Sequence, residues 1–314
     1  QRRARLRSVA DRRMSPVERT LASAPGAATL YPRAAFGTFA RPLLRKVPLL
    51  GGSTPAALPE LTLGLDDVAL DAGHVADYAR VCGFDLRDTL PASYLHILGF
   101  PLAMSLMTDG DFPFGVIGLV HVANRIEHVR PVALRETPSF RVHAEDLRAH
   151  PKGRQFDVVA VATVGGERVW EGRSTYLRIG GGSGSDDGTT KNDNKTEERP
   201  GAPAPEAVWS IPSDIGRRYG AVSGDRNPIH LHNVSAKLFG MPRAIAHGMW
   251  MKARVLAALQ SELPERFTAE VRFKRPVLLP ARIAFSTDKT ADGRAFALHD
   301  AKRGIPHLEG RLGT

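Results

Sequence analysis

A single cysteine, Cys82, stands in 314 residues. That excludes an internal disulfide and any zinc cluster built on cysteines, and it fits a reducing compartment. No apolar run reaches the ~20 residues that a bilayer-spanning helix requires, so no transmembrane helix is expected. The Arg-rich start lacks the apolar core and cleavage site of a signal peptide. It reads as an ordinary solvated tail, and a cytoplasmic protein is the expectation. Aromatic residues are only 7% of the chain and no nucleic-acid-binding motif is present. The net charge of +10 therefore does not make a nucleic-acid binder. Half of that excess lies in residues 1–13, where Arg2, Arg3, Arg5, Arg7, Arg12 and Arg13 face only Asp11. What remains suits a partner bearing several phosphates, or an acidic carrier protein.

The 42% apolar and 24% charged residues are those of a globular protein, and the length allows two ordinary domains. Residues 1–60, rich in Arg, Pro and Ala with an apolar patch at 43–50, read as a loosely structured arm with a short helix packed on the body. Residues 61–179 form a first domain, with helices expected at 74–81 and 93–107 and a strand at 116–122. Alternating segments at 140–146, 156–164 and 168–179, joined at Pro151-Lys152-Gly153 and Gly165-Gly166, predict an antiparallel meander. Residues 180–206 are rich in Gly, Ser, Asp, Asn, Lys and Pro, too polar to build a core, and read as a linker. Residues 207–314 form a second domain. Its long apolar helix is expected at 248–263, and its strands at 269–274, 281–287, 294–299 and 307–312, with Asp292-Gly293 as a hairpin turn.

The two domains repeat one another. Tyr78-Ala-Arg-Val-Cys-Gly-Phe matches Tyr219-Gly-Ala-Val-Ser-Gly-Asp, and Pro91 with His96 matches Pro242 with His247. Arg130-Pro131-Val132 matches Arg275-Pro276-Val277, and Glu171-Gly172-Arg173 matches Glu309-Gly310-Arg311. The order is kept and the offsets stay near one value, at 141, 151, 145 and 138 residues. That pattern indicates two copies of one fold unit.

The chemistry concentrates in the second copy, at Ser223-Gly224-Asp225-Arg226-Asn227-Pro228-Ile229-His230. A residue before proline is pushed to an extended conformation, and proline suits the first turn of a helix. Asn227-Pro228 thus fixes a turn that Asp225 and His230 flank, with the new helical segment ending at Gly240. A carboxylate and an imidazole around one water can move protons to and from a substrate. Further on, Ala246-His247-Gly248-Met249 opens the apolar helix. The Gly248 N–H, with the helix dipole behind it, could bind a thioester oxygen as negative charge develops there. Taken singly, each feature also has a plain reading. Asp225 can be a helix cap, His230 a solvent-facing side chain, and Gly248 a relief of crowding.

Together, S-G-D-R-N-P-I-H, an alanine six residues after the histidine and the later A-H-G-M resemble the hydratase-2 motif of MaoC-like dehydratases. From about Leu61 the chain also resembles the double hot dog dehydratases of actinobacterial lipid metabolism, with Met104–Phe114 (M-S-L-M-T-D-G-D-F-P-F) matching their first half. The resemblance implies an α+β double hot dog, two antiparallel sheets each wrapping a long helix, in tandem. It implies a hydro-lyase that reversibly dehydrates (3R)-hydroxyacyl thioesters to trans-2-enoyl thioesters. Asp225 and His230 would be the catalytic pair and the Gly248 N–H the oxyanion donor. Asn227, Ser223, Gly224 and His247 would support them. Arg243, Arg272, Lys274 and Arg275 are candidates for the substrate's phosphates. No metal or other cofactor is implied, since the substrate carries coenzyme A or acyl carrier protein itself. In the first copy Phe84 stands in place of Asp225 and no N-P-x-H follows, which leaves one active site per chain and a first half reshaped for the acyl chain. Competing readings are a hot dog thioesterase and a non-catalytic acyl-thioester-binding subunit. Two hot dogs in one chain supply the fold's usual pseudo-dimer, which allows a monomer as well as a homodimer.

Overall fold

Alternation of period two builds the sheet. In the strand Phe267–Phe273, Phe267, Ala269 and Val271 are buried, while Thr268, Glu270 and Arg272 take the other face. The computed structural model describes residues 17–35, 56–180 and 204–313. The Arg-rich tail, the apolar patch at 43–50 and most of the linker lie outside the described residues. In chain order the strands are β1 (Val17–Leu21), β2 (Leu61–Leu65), β3 (Leu119–His128), β4 (Ser139–His150), β5 (Gly153–Val164) and β6 (Glu167–Ile179). They continue as β7 (Ala207–Ile211), β8 (Phe267–Phe273), β9 (Ala281–Thr290), β10 (Gly293–Asp300) and β11 (Pro306–Gly313). The helices are α1 (Ala27–Ala35), α2 (Ala72–Cys82), α3 (Tyr94–Met107), α4 (Ile215–Ser223), α5 (Pro228–Leu231), α6 (Asn233–Leu238) and α7 (Gly248–Ala258).

The strands form one sheet in the order β1-β2-β4-β5-β6-β3-β8-β11-β10-β9-β7. Read outward from the centre, the two halves are copies: β3, β6, β5, β4, β2 on one side and β8, β11, β10, β9, β7 on the other. The expected two sheets are thus a single continuous one. Each half has a free edge of N–H and C=O groups, and β3 pairing antiparallel with β8 satisfies both edges at once. Lys252, wholly buried on α7, ties the seam: its Nζ donates to Asn124 Oδ1 of β3 at 2.5 Å and to the Ala269 carbonyl of β8 at 2.9 Å.

Three expectations need correction. In the described part of the arm, residues 17–35 and 56–60, a strand accompanies the expected short helix. β1 pairs parallel with β2, and α1 packs on α3 with Leu30 and Ala34 buried. β3 starts later than the expected 116–122, and α7 ends at Ala258 before a separate 3-10 turn at Gln260–Glu262.

The third concerns the repeat. Register supports most of it. Tyr78 on α2 and Tyr219 on α4 face each other with ring centroids 6.2 Å apart, and each helix ends on a left-handed glycine, Gly83 and Gly224. Leu90 N–H donates to the Val132 carbonyl as Ala246 N–H does to Val277. That last pair, however, displaces the His96–His247 match. The residue entering α3 is Ser93 and the residue entering α7 is His247. Ser93 meets the Tyr78 hydroxyl at 2.9 Å, as His247 meets the Tyr219 ring at 4.9 Å. Tyr94 therefore stands where Gly248 stands. The first half still lacks the glycine, and His96 lies further along its helix.

Candidate active site

Asp225 and His230 are brought together by close backbone packing. A Cβ on Gly216 would lie 1.9 Å from the His230 carbonyl, and one on Gly220 would lie 2.9 Å from the Asp225 carbonyl. The pair, one turn apart on α4, lets α5 and the Asp225 loop seat on bare backbone. Within the loop, Ser223 Oγ accepts from the Asp225 N–H at 3.1 Å, and Gly224 takes the left-handed turn out of α4 with φ 74°. Asn227 is extended and caps α5, its Oδ1 accepting from Ile229 N–H at 3.4 Å. Its own N–H donates to Asp225 Oδ1 at 3.2 Å. The capping role thus falls to Asn227, which leaves the Asp225 carboxylate to face the cavity.

One contributor is absent from the motif. Tyr31, on α1, donates from its hydroxyl to Asp225 Oδ1 at 3.3 Å and to the Gly224 carbonyl at 3.2 Å, and accepts from the Arg226 N–H. A residue almost two hundred positions upstream thus grips the loop at its acid. No local pattern announces it, because its partners are met only through the packing of the arm. Gly216-x-x-x-Gly220 did carry a signal, a small-residue pair on one helix face.

His230 is buried, and its Nδ1–H donates to the Ile245 carbonyl at 2.8 Å, leaving Nε2 as the free lone pair. His247 stacks on it with centroids 3.7 Å apart, and its Nε2–H donates to the Asp225 carbonyl at 3.0 Å. Burial lowers the pKa of His230 below the ordinary imidazole value, and it lowers that of His247 to about 3, so both rings are neutral near pH 7. Burial works against the Asp225 carboxylate too. His247, His230, the Asn227 N–H and the Tyr31 hydroxyl outweigh it and hold its pKa below the usual range. Asp225, His230 and His247 place ligand-capable atoms within 4.8 Å of one another. The two rings are stacked only 24° from parallel, so their in-plane lone pairs run side by side and do not converge on one ion.

Gly248 opens α7, where the first N–H groups have no intrahelical acceptor. A Cβ there would sit 2.9 Å from the Phe273 ring, so the plain reading of relieved crowding is also true of it. Asp225, Asn227, His230, His247 and Gly248 line a cavity of about 260 Å³ whose far wall comes from the first half. The candidate cations separate. Lys274 and Arg275 reach the cavity, Lys274 while paired with Glu309 at 2.8 Å. Arg243 joins Arg275, Lys302 and Arg303 around an adjoining surface hollow. Arg272 does not belong, because strand alternation turns it to the opposite face of β8, in a charged groove with Arg125 and Arg311.

Residues 191–310 match the family described as MaoC like domain. The chain is 39% identical over 251 residues to 3-hydroxyacyl-thioester dehydratase X of Mycobacterium tuberculosis, covering 80% of this chain and 88% of that protein. The crystal structure of HtdX from Mycobacterium tuberculosis superposes with a TM-score of 0.71 at 36% identity, over 81% of this chain and 100% of that one. A MaoC-like dehydratase from Phytophthora capsici shares the fold at 18% identity, with a TM-score of 0.62 over 81% and 95% of the two chains. With that identity sustained over four-fifths of its length, the chain belongs to the MaoC-like dehydratases.

Proposed function

We propose that this protein reversibly dehydrates (3R)-hydroxyacyl thioesters to trans-2-enoyl thioesters. The observation that carries the reading is the meeting of three groups in one cavity: an ionised Asp225, a neutral His230 with its Nε2 free, and the Gly248 N–H at a helix start. In the hydration direction, a water held between Asp225 and His230 adds its oxygen to C3 and gives up a proton to the pair. The electrons of the double bond move toward the thioester carbonyl, whose oxygen takes negative charge at the Gly248 N–H. The pair then returns a proton to C2, and dehydration is the same path reversed. No metal, nucleotide or redox group takes part. Residues 207–314 supply the chemistry, residues 61–179 the far wall of the cavity, and 180–206 link them. Lys274 and Arg275 at the cavity, with Arg243 and Lys302 in the adjoining hollow, support a carrier that bears phosphates, coenzyme A or an acidic carrier protein.

The test is hydration of crotonyl-CoA and longer trans-2-enoyl-CoAs, with chiral analysis of the product. A (3R)-hydroxyacyl-CoA is expected, and Asp225→Asn combined with His230→Ala is expected to abolish turnover. A (3S) product, or activity surviving the double variant, would defeat the assignment. Release of free thiol from the enoyl-CoA would instead favour a thioesterase.

A further inference from the structure

The far side of the cavity is not the plain apolar tunnel that an alkyl chain requires. Phe100, Met104, Met107 and Leu119 give it an apolar wall, but His96 of α3 and His121 of β3 face the same space. The His121 ring lies between Tyr176 at 4.8 Å and Phe273 at 5.0 Å, with its Nε2 buried and lacking any hydrogen-bond partner. The His96 imidazole packs on the Phe100 ring and makes no side-chain hydrogen bond among the described residues. Neither hydrogen-bonds to Asp225 or His230, though both feel the Asp225 charge. Leaving the His121 nitrogen unpaired in the interior costs about 1–3 kcal/mol, a cost that Leu or Phe there would not incur. Burial is the main cause that lowers His96 to about 4 and His121 to about 3, so each is a neutral imidazole; a hydrogen bond to the Ala123 backbone occupies one side of the His121 ring and leaves its Nε2 to the cavity. That chemistry suits a neutral oxygen and not a carboxylate. Position indicates which part of the substrate brings it. Phe273 lies against both, touching the His121 ring and crowding Gly248. An acyl chain whose carbonyl sits at Gly248 would pass the two histidines beyond its reacting carbons.

We propose that His96 and His121 form a polar subsite for a hydroxyl or keto oxygen carried on the acyl chain past C3, so that the enzyme prefers oxygenated acyl thioesters to plain alkyl ones. The proposal rests on the dehydratase reading given above. Its test compares hydration of a medium-chain trans-2-enoyl-CoA with that of congeners of equal length bearing one hydroxyl or one keto group at successive carbons. At least one oxygenated congener is expected to exceed the plain chain in kcat/KM by about tenfold, chiefly through KM. The hydroxyl and keto series show which oxygen the imidazoles take. In His121→Leu and His96→Leu proteins the ratio is expected to fall toward one. Equal kcat/KM for all congeners with the unaltered enzyme overturns the subsite without any variant. That comparison decides alone if a variant does not fold. A His121→Leu protein that loses kcat alike on every substrate overturns it too, by placing His121 in the chemistry. Crotonyl-CoA hydrated without any such preference would sink the subsite alone. No hydration of any enoyl-CoA would sink the dehydratase reading and the subsite with it.

Discussion

Asp225 is held ionised by neighbours that its own loop supplies only in part: the His247 and His230 rings weigh most, then the Asn227 N–H and the Tyr31 hydroxyl. The Asn227 N–H is local, but the Tyr31 hydroxyl comes from α1. Burial and the neighbouring carboxylate push the Tyr31 pKa far up, so it remains a donor throughout the working range. Tyr31→Phe would keep the ring and delete the bonds to Asp225 and Gly224. The one O–H is shared between those two acceptors, so its loss of about 1–1.5 kcal/mol corresponds to kcat reduced roughly tenfold. The sign of the pH effect follows from the same bond. A donor lowers a carboxylate pKa, so its removal raises that pKa, and the acid limb of the kcat/KM profile should move to higher pH. Loss of rate with the limb unmoved would reduce Tyr31 to a packing residue.

At the scale of elements, α4 decides whether the site forms. The face at Gly216 and Gly220 admits the carbonyls of His230 and Asp225 to within distances that no side chain allows. In Gly216→Ala the new methyl would force α5 outward and carry His230 with it. Overpacking of this kind costs about 1–3 kcal/mol, read as a Tm drop of several degrees in calorimetry, with kcat falling more than KM rises. Gly220→Ala, with its wider gap, should fall short of both effects. The same element shows what was legible beforehand. Long apolar helices and alternating strands were, since α3 and α7 are continuous apolar runs and the β4–β6 meander carries its alternation in consecutive residues. β2 and β7 were not, being five residues each and set by pairing with β4 and β9. Asp225, His230 and Gly248 were legible because their spacing lies within one stretch. Tyr31 and His121 reach the site only through tertiary packing. Matching His96 with His247 failed because the two copies differ in loop length just before α3 and α7, where a proline in each segment suggests a false frame.

Among the described residues, His96, His121, His230, His247 and His307 line one cavity, and the burial of several of them couples stability to pH. His96, His121 and His247 all have pKa values lowered chiefly by burial, to about 4, 3 and 3. Unfolded, each returns to an ordinary value of ~6.5. Between those limits the unfolded chain binds more protons than the folded one, so stability rises with pH there and is lost as the medium is acidified. Asp225, held ionised in the fold, acts in the same direction at lower pH. Each histidine can add a slope of up to about 1.4 kcal/mol per pH unit over its window. Urea melts from pH 7 to pH 4 should therefore show a steep fall in unfolding free energy, beginning near the ordinary histidine range. In His121→Leu the curve should be flatter by about one such slope, because that proton is no longer excluded from the interior. A curve of unchanged slope would mean that His121 titrates as freely in the folded protein as in the unfolded chain. The imidazole would then be open to water, and the cavity would not be closed around it.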